Sequence, residues 1–334
     1  MRRCNLKDIF HLLKGGNKPS LLAGVVNLIL GIIKGIAFVF TGNVAMFAEM
    51  MHSLGDSANQ FFVFIGSALS KKAPTPKFPT GFGRVVNLVC LGAVLIVGIL
   101  AYETILEGWK HIQHPAASTG IAITISVLAL GIILEGIVLL KAAKEIVHEA
   151  GQTATIFTVL PKAFANLNHA KPATKLVFME DTVATSGGII AIISVLISHF
   201  AGWSAAEGIA SIIIGVMMFY VVASVFLENA RGAIGETDED MLNHIAYLVS
   251  DDENIRDIQR LEVIKEGEVL HVEVMAEVDP TLSFAQVDDI RDHLMEILLT
   301  QNKVARVTIS FDEDDGITNW SHIGERPDSL KTKD

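Results

Sequence analysis

The chain is poor in cysteine: Cys4 and Cys90 are the only two in 334 residues, they stand 86 positions apart, and neither belongs to a CxxC. That leaves no basis for a thiolate metal site or a disulfide framework. Catalytic signatures are missing as well. HExxH, GxSxG and the Walker loop GxxxxGK[ST] do not occur, so hydrolysis and ATP-driven pumping have no support, and neither enzyme activity nor a cofactor is expected. Charge is the third scarcity, with only 19% of residues Asp, Glu, Lys or Arg, below the roughly 25% of soluble domains. Apolar mass takes its place, at 51% hydrophobic residues and a mean hydropathy of +0.46. This composition excludes disorder, a collagenous repeat and a small secreted scaffold, and it requires a surface that meets something other than water.

The net charge of −11 is unevenly spread. Through residue 227 there are 16 Lys and Arg against 11 Asp and Glu; from 228 onward there are 10 against 26. An apolar, mildly basic first part suits a lipid bilayer with an anionic inner face, and an acidic second part argues against nucleic acid as a partner.

Six apolar stretches precede residue 228, at about 21–41, 44–69, 85–106, 119–140, 176–197 and 205–227. Each is long enough to cross a hydrocarbon core of roughly 30 Å at 1.5 Å per residue. Fourteen Lys and Arg fall on the even side of these stretches and only Lys110 in the odd-side loops, so both termini are expected in the cytosol. The expected organisation is a cytosolic segment 1–20, a six-helix transmembrane domain 21–228, a cytosolic domain 229–315 and a loose tail 316–334. No apolar core with a cleavage site and no arginine- and serine-rich transit segment precedes the first stretch, which points to a retained first helix and a bacterial cytoplasmic membrane.

Ionisable groups at bilayer depth cost a few kcal/mol or more, so those present are informative. The second stretch reads AEMMHSLGDSANQFF. Glu49, His52, Asp56 and then Asn59 or Gln60 follow at helical spacing and form one stripe. The fifth reads LVFMEDTVATSGGII, where the adjacent Glu180 and Asp181 point about 100° apart. One reading has these two helices holding a divalent cation between His52, Asp56 and a carboxylate of the fifth stretch. Imidazole with carboxylates suits Zn²⁺, and Mn²⁺, Fe²⁺ or Co²⁺ less selectively. The other has the stripe as hydrogen-bonding glue between helices. Lys34 and Glu135 are also at membrane depth and could pair with each other or with a carboxylate of the fifth stretch, or relay protons. Gly24, Gly31 and Gly35 in the first stretch, and Ala184, Ser186, Gly187 and Gly188 in the fifth, are close-packing positions. His111, His114, His148 and His169 read as solvated loop residues.

Beyond residue 227 the pattern becomes amphipathic: helix 238–250, strands 256–265 and 269–278 joined by a turn at 266–268, helix 283–300 with Ser283 as N-cap, strand 304–311. The order αββαβ implies a two-layer α+β domain of ferredoxin-like type. The run Asp312 to Asp315, with His244 and His271, could hold a regulatory metal, though a charge run is usually a solvated face.

With AExxHSxxDxxNQ at 48–60, FGR at 82–84, EDxxAxxG at 180–187, six spans and an αββαβ tail on the page, the chain resembles the cation diffusion facilitator family of zinc and related metal transporters, in particular its zinc-transporter-nine-like branch. The resemblance runs from about residue 21 to 315. It implies a homodimer, formed through the cytosolic domain and the membrane helices, that moves divalent metal out of the cytosol by alternating access in exchange for protons. It also implies metal ligands at His52, Asp56 and Asp181. Where the family pattern has a histidine four residues before Asp181, this chain has Val177, so Glu180, water, Glu49 or Asn59 must complete the shell. A membrane-anchored metal sensor without transport is the alternative. A small-solute transporter fits less well, because the fifth stretch offers paired acids and not a Gly/Pro break.

Overall fold

The structure, a computed structural model, describes residues 15–320 except 117, 168, 169, 171 and 268. The expectations for most of the N-terminal segment, for His169, for Glu268 of the predicted turn and for the tail beyond residue 320 lie outside the described residues. The chain divides into two compact units: residues 13–68 with 89–229, and residues 69–88 with 230–334.

The first unit is helical. Its elements are α1 (Lys18–Thr41), α2 (Val44–Ser70), α3 (Val85–Gln113), α4 (Ile121–Glu149), the short α5 (Val159–Ala165), α6 (Pro172–Ala201) and α7 (Ala205–Ile234). Five stretches among the described residues, α1, α3, α4, Val177–Ala201 of α6, and α7, are long and apolar enough to cross a membrane. α2 has the length, at 27 residues, and carries the polar stripe that sets it apart from the other five. Asn17 caps α1 by accepting from the Ser20 amide, and Gly42 closes it at φ 65, a left-handed conformation that glycine adopts without strain.

Where helices cross closely, they do so at small residues. Gly108 of α3 and Gly208 of α7 meet so tightly that a Cβ on either would lie 2.7 or 2.6 Å from the other's carbonyl oxygen. The core joins the six long helices through Ala37, Met46, Ala101, Leu128, Ala191 and Ile214.

The chain between the fourth and fifth apolar stretches is partly helix. α4 continues to Glu149 and α5 follows, because Ala142, Ala143, Ile146 and Val147 bury an apolar face against Val159, Ala163 and Phe178. His111 is a second correction. It lies in the last turn of α3, 7% exposed, with its ring nitrogen 3.1 Å from the Ser204 carbonyl. Its lone polar position on an apolar helix end gave no sign of that partner.

In the second unit α8 (Glu239–Ser250) is capped by Asp238, and α9 (Phe284–Leu299) by a reciprocal Ser283–Gln286 capping box. The strands β1 (Ile255–Glu266), β2 (Val269–Val278) and β3 (Val304–Glu313) form one sheet in the order β1-β2-β3. β1 pairs with β2 antiparallel, and β3 joins β2 in parallel after the α9 crossover. Both helices cover one face, with Ile245, Val249, Ile290, Leu294 and Leu298 packed against Ile258, Val263, Val272 and Val274. The arginine of the FGR motif donates from Nη1 to the Ile234 carbonyl at 3.2 Å, and Arg306 donates to the Thr80 carbonyl. Within the described part of the expected tail, residues 316–320, the Asn319 and Trp320 amides donate to the Asp257 carboxylate, and the indole packs on the core.

Candidate metal centre

His52 and Asp56 sit one helical turn apart on α2, with Nε2 of the imidazole 3.5 Å from an Asp56 oxygen. That is an ion-pair separation and too long for a good hydrogen bond. His52 is 4% exposed, while Asp56 opens onto a narrow cleft that it shares with Gly55 and Asn59 of α2 and Glu180 of α6. Val94 and Val97 of α3 and Val221, Val222 and Val225 of α7 form the apolar wall. The two stretches singled out by their acids therefore do meet at one place.

On α2 and α6 several buried polar atoms have no hydrogen-bond partner: His52 Nε2, Ser53 Oγ, one oxygen of Asp181 and the Thr185 hydroxyl. Buried polar groups are nearly always satisfied, so these atoms keep unused bonding capacity on the two helices that line the cleft. Thr185 lies four residues after Asp181 and so on the same face of α6. Sequence reasoning passed over it, because hydroxyls in helices usually bond back to a carbonyl of the preceding turn, as Thr182 does to Phe178 here.

Glu49 continues the stripe one turn before His52, but its oxygen Oε2 accepts from Lys34 Nζ at 2.8 Å. The same ammonium donates to Glu135 of α4 at 3.2 Å. Lys34 thus pairs with both Glu135 and Glu49, not with a carboxylate of α6. Among the described residues, no three His, Cys, Asp or Glu side chains stand close enough together to hold a metal ion as they are. Val177, at the position where the resemblance implies a histidine, is 42% exposed.

Further along the bundle, Asn43 Nδ2 donates to Ser118 Oγ at 3.4 Å, and Ser118 donates to the fully buried Glu207 carboxylate at 2.6 Å. The Thr119 amide donates to the Thr41 carbonyl at 2.9 Å. These bonds tie the α1–α2 and α3–α4 connections to each other and to the first turn of α7. Asn43 precedes Asp56 by 13 positions, about 20 Å along a helix at 1.5 Å per residue.

In the sheet unit the two histidines named with the acidic run are engaged separately, His244 with Gln301 at 2.9 Å and His271 with Thr308 at 3.4 Å. Asp312 accepts from Gln259.

The sequence model of the cation efflux transmembrane domain matches residues 20–232. Among individual proteins, the chain is 26% identical over 295 residues to a mitochondrial proton-coupled zinc antiporter of Mus musculus, covering 85% of this chain and 50% of that protein. It is 23% identical over 302 residues to the zinc transporter ZitB of Yersinia pestis, covering 89% and 88% of the two chains. It is 27% identical over 263 residues to a cadmium, cobalt and zinc/H⁺-K⁺ antiporter of Bacillus velezensis, covering 75% and 74%. The chain spans about half the length of the mitochondrial relatives it matches. A domain match over more than half of its residues establishes that the chain belongs to the cation efflux family.

Proposed function

We propose that the chain exports a divalent cation in exchange for protons, zinc first, with manganese, iron and cobalt as weaker substrates. The observation that carries this reading is the meeting of α2 and α6 at one cleft: Asp56, Asn59 and Glu180 line it, His52 adjoins Asp56, and Asp181 holds an unpartnered buried oxygen, all within the stretch matching the family's transmembrane domain. His52, Asp56 and Asp181 are the ligands we assign, with Glu180 completing the shell and Asn59 beside it. These donors stand apart in the structure, and the arriving cation draws them together.

In this reading all six long helices span the bilayer, α2 with its polar stripe turned inward, and both termini are cytosolic. The αββαβ unit is a ferredoxin-like domain on that side and contributes, with the membrane helices, to a homodimer. Alternating access finds support in the bundle itself: the Asn43–Ser118–Glu207 chain ties one end while the cleft at Asp56 stands open. Proton coupling follows from the donor set, since binding needs a neutral imidazole and ionised carboxylates. Protons from the more acidic side compete for the same atoms and release the ion. We place the protein in a bacterial cytoplasmic membrane, and its similarity to a Yersinia transporter supports that reading.

The test is flux in proteoliposomes under a pH gradient, with Zn²⁺ and Mn²⁺ in parallel. Metal-dependent proton movement is expected. Metal binding with no flux of either ion would instead select the membrane-anchored sensor.

A further inference from the structure

We propose that Lys34 is a positioning residue that holds Glu49 out of the metal shell and thereby sets the ion preference of the centre. The proposal rests on the reading above, in which His52 and Asp56 bind the ion.

Glu49 precedes His52 by three residues on one helix. Side chains at that spacing are neighbours, about 5–6 Å apart at Cβ. A change of rotamer therefore suffices to bring the Glu49 carboxylate to the imidazole. What prevents it comes from three other helices. Lys34 of α1, 1% exposed, puts its ammonium 2.8 Å from Glu49 and 3.2 Å from Glu135 of α4. Charge-assisted bonds of this kind, away from water, are the strong ones.

The space for the arrangement is carved by glycines. A Cβ on Gly131 of α4 would lie 3.2 Å from Cε of Lys34, and one on Gly187 of α6 would lie 2.8 Å from Oε1 of Glu49. A side chain at Gly187 would make the Glu49 carboxylate shift, and one at Gly131 would crowd the lysine by a few tenths of an ångström. Yet Glu49 keeps a lone-pair-bearing oxygen in reserve, because Oε1 is buried and accepts no hydrogen bond.

With Glu49 tied to Lys34, the centre offers an imidazole and a limited set of carboxylate oxygens, a mixture that suits zinc. A freed Glu49 adds a hard oxygen ligand. The shell then moves toward manganese.

The experiment compares Zn²⁺ and Mn²⁺ binding to the purified full chain in detergent. Replacing Lys34 alone would strand two buried carboxylates and risk misfolding. The double variant Lys34→Met with Glu135→Gln removes one charge of each sign and keeps the net charge of the cluster. Its Mn:Zn affinity ratio is expected to rise about tenfold, or ~1.4 kcal/mol in relative affinity. Adding Glu49→Gln to the double variant should return the ratio to its starting value. A double variant with the parent ratio, one that has lost both metals, or a triple variant that keeps the raised ratio overturns the proposal. A second measurement does not depend on lysine replacement: the zinc K-edge spectrum of the Glu49→Gln protein should superimpose on that of the unsubstituted chain, and a missing oxygen scatterer would show Glu49 already in the shell. His52→Ala separates the two ideas, since undiminished zinc binding in that variant removes the centre itself and not merely the role of Lys34.

Discussion

At the scale of single residues, the stripe on α2 divides into two kinds of position. His52 and Asp56 face each other at 3.5 Å with no better partner, whereas Glu49 is held by Lys34 at 2.8 Å. Helical spacing made all three legible as one face, but spacing says nothing about which of them a lysine on another helix will claim. That pairing is tertiary, and from the sequence Lys34 read equally well as the partner of Glu135 or of an acid in α6. Thr185 was illegible for a different reason, since most helical hydroxyls satisfy themselves locally. The division makes a prediction. Removing a group that orients a metal ligand costs 10–100-fold in metal affinity, so removing a ligand outright should cost at least that. His52→Ala and Asp56→Ala are each expected to lower zinc flux in proteoliposomes by about 100-fold. Flux within a factor of two of the unsubstituted protein in both variants would reduce the stripe to packing.

At the scale of elements, apolar run length located all six long helices but misplaced their ends. α3 reaches Gln113 and α7 reaches Ile234, several residues beyond the apolar cores from which they were read. A helix does not stop where the hydrocarbon would, because its backbone bonds continue for as long as capping and packing permit. The polar bonds between hairpins were illegible, since Asn43, Ser118 and Glu207 are unremarkable alone and matter only once their loops meet. Ser118→Ala leaves the buried Glu207 carboxylate without the donor at 2.6 Å, and an unsatisfied buried partner costs on the order of 1–3 kcal/mol. The tied end should loosen. In a background of Cys4→Ser and Cys90→Ala, a Val44→Cys substitution should react several-fold faster with a water-soluble maleimide once Ser118→Ala is added. Equal rates would mean that these bonds do not hold that end closed.

At the scale of the whole molecule, the two units answer to different solvents, and the acidity of the second gives it a pH dependence of its own. The alternation in β1 and β2 and the caps of α8 and α9 made this unit's secondary structure readable. Its charge run was read as solvated, and Asp312 to Asp315 do lie mainly at the surface. The acid that matters is elsewhere. Glu277, 1% exposed, stands opposite Asp257 in the β1–β2 pairing, with one oxygen receiving Asn319 Nδ2 at 3.1 Å and the other without a partner. Burial first, and then the carboxylates of Asp315, Asp257 and Asp314, push its pKa above the usual value. For an acid whose folded value is raised, the protonated form is the one the fold prefers. Its stabilising contribution is complete below the unfolded value, about 4.3, and disappears as pH climbs through the folded value. Glu277→Gln should remove that loss, because a neutral amide keeps an acceptor for Asn319 and gains a donor toward Asp257. Hydrogen-exchange protection of the β1 and β2 amides in the full chain should therefore fall between pH 4.5 and pH 7 in the parent and hold nearly level in the variant. A parent whose protection is flat across that range would show that the carboxylate beside Asp257 ionises in the folded domain at no cost.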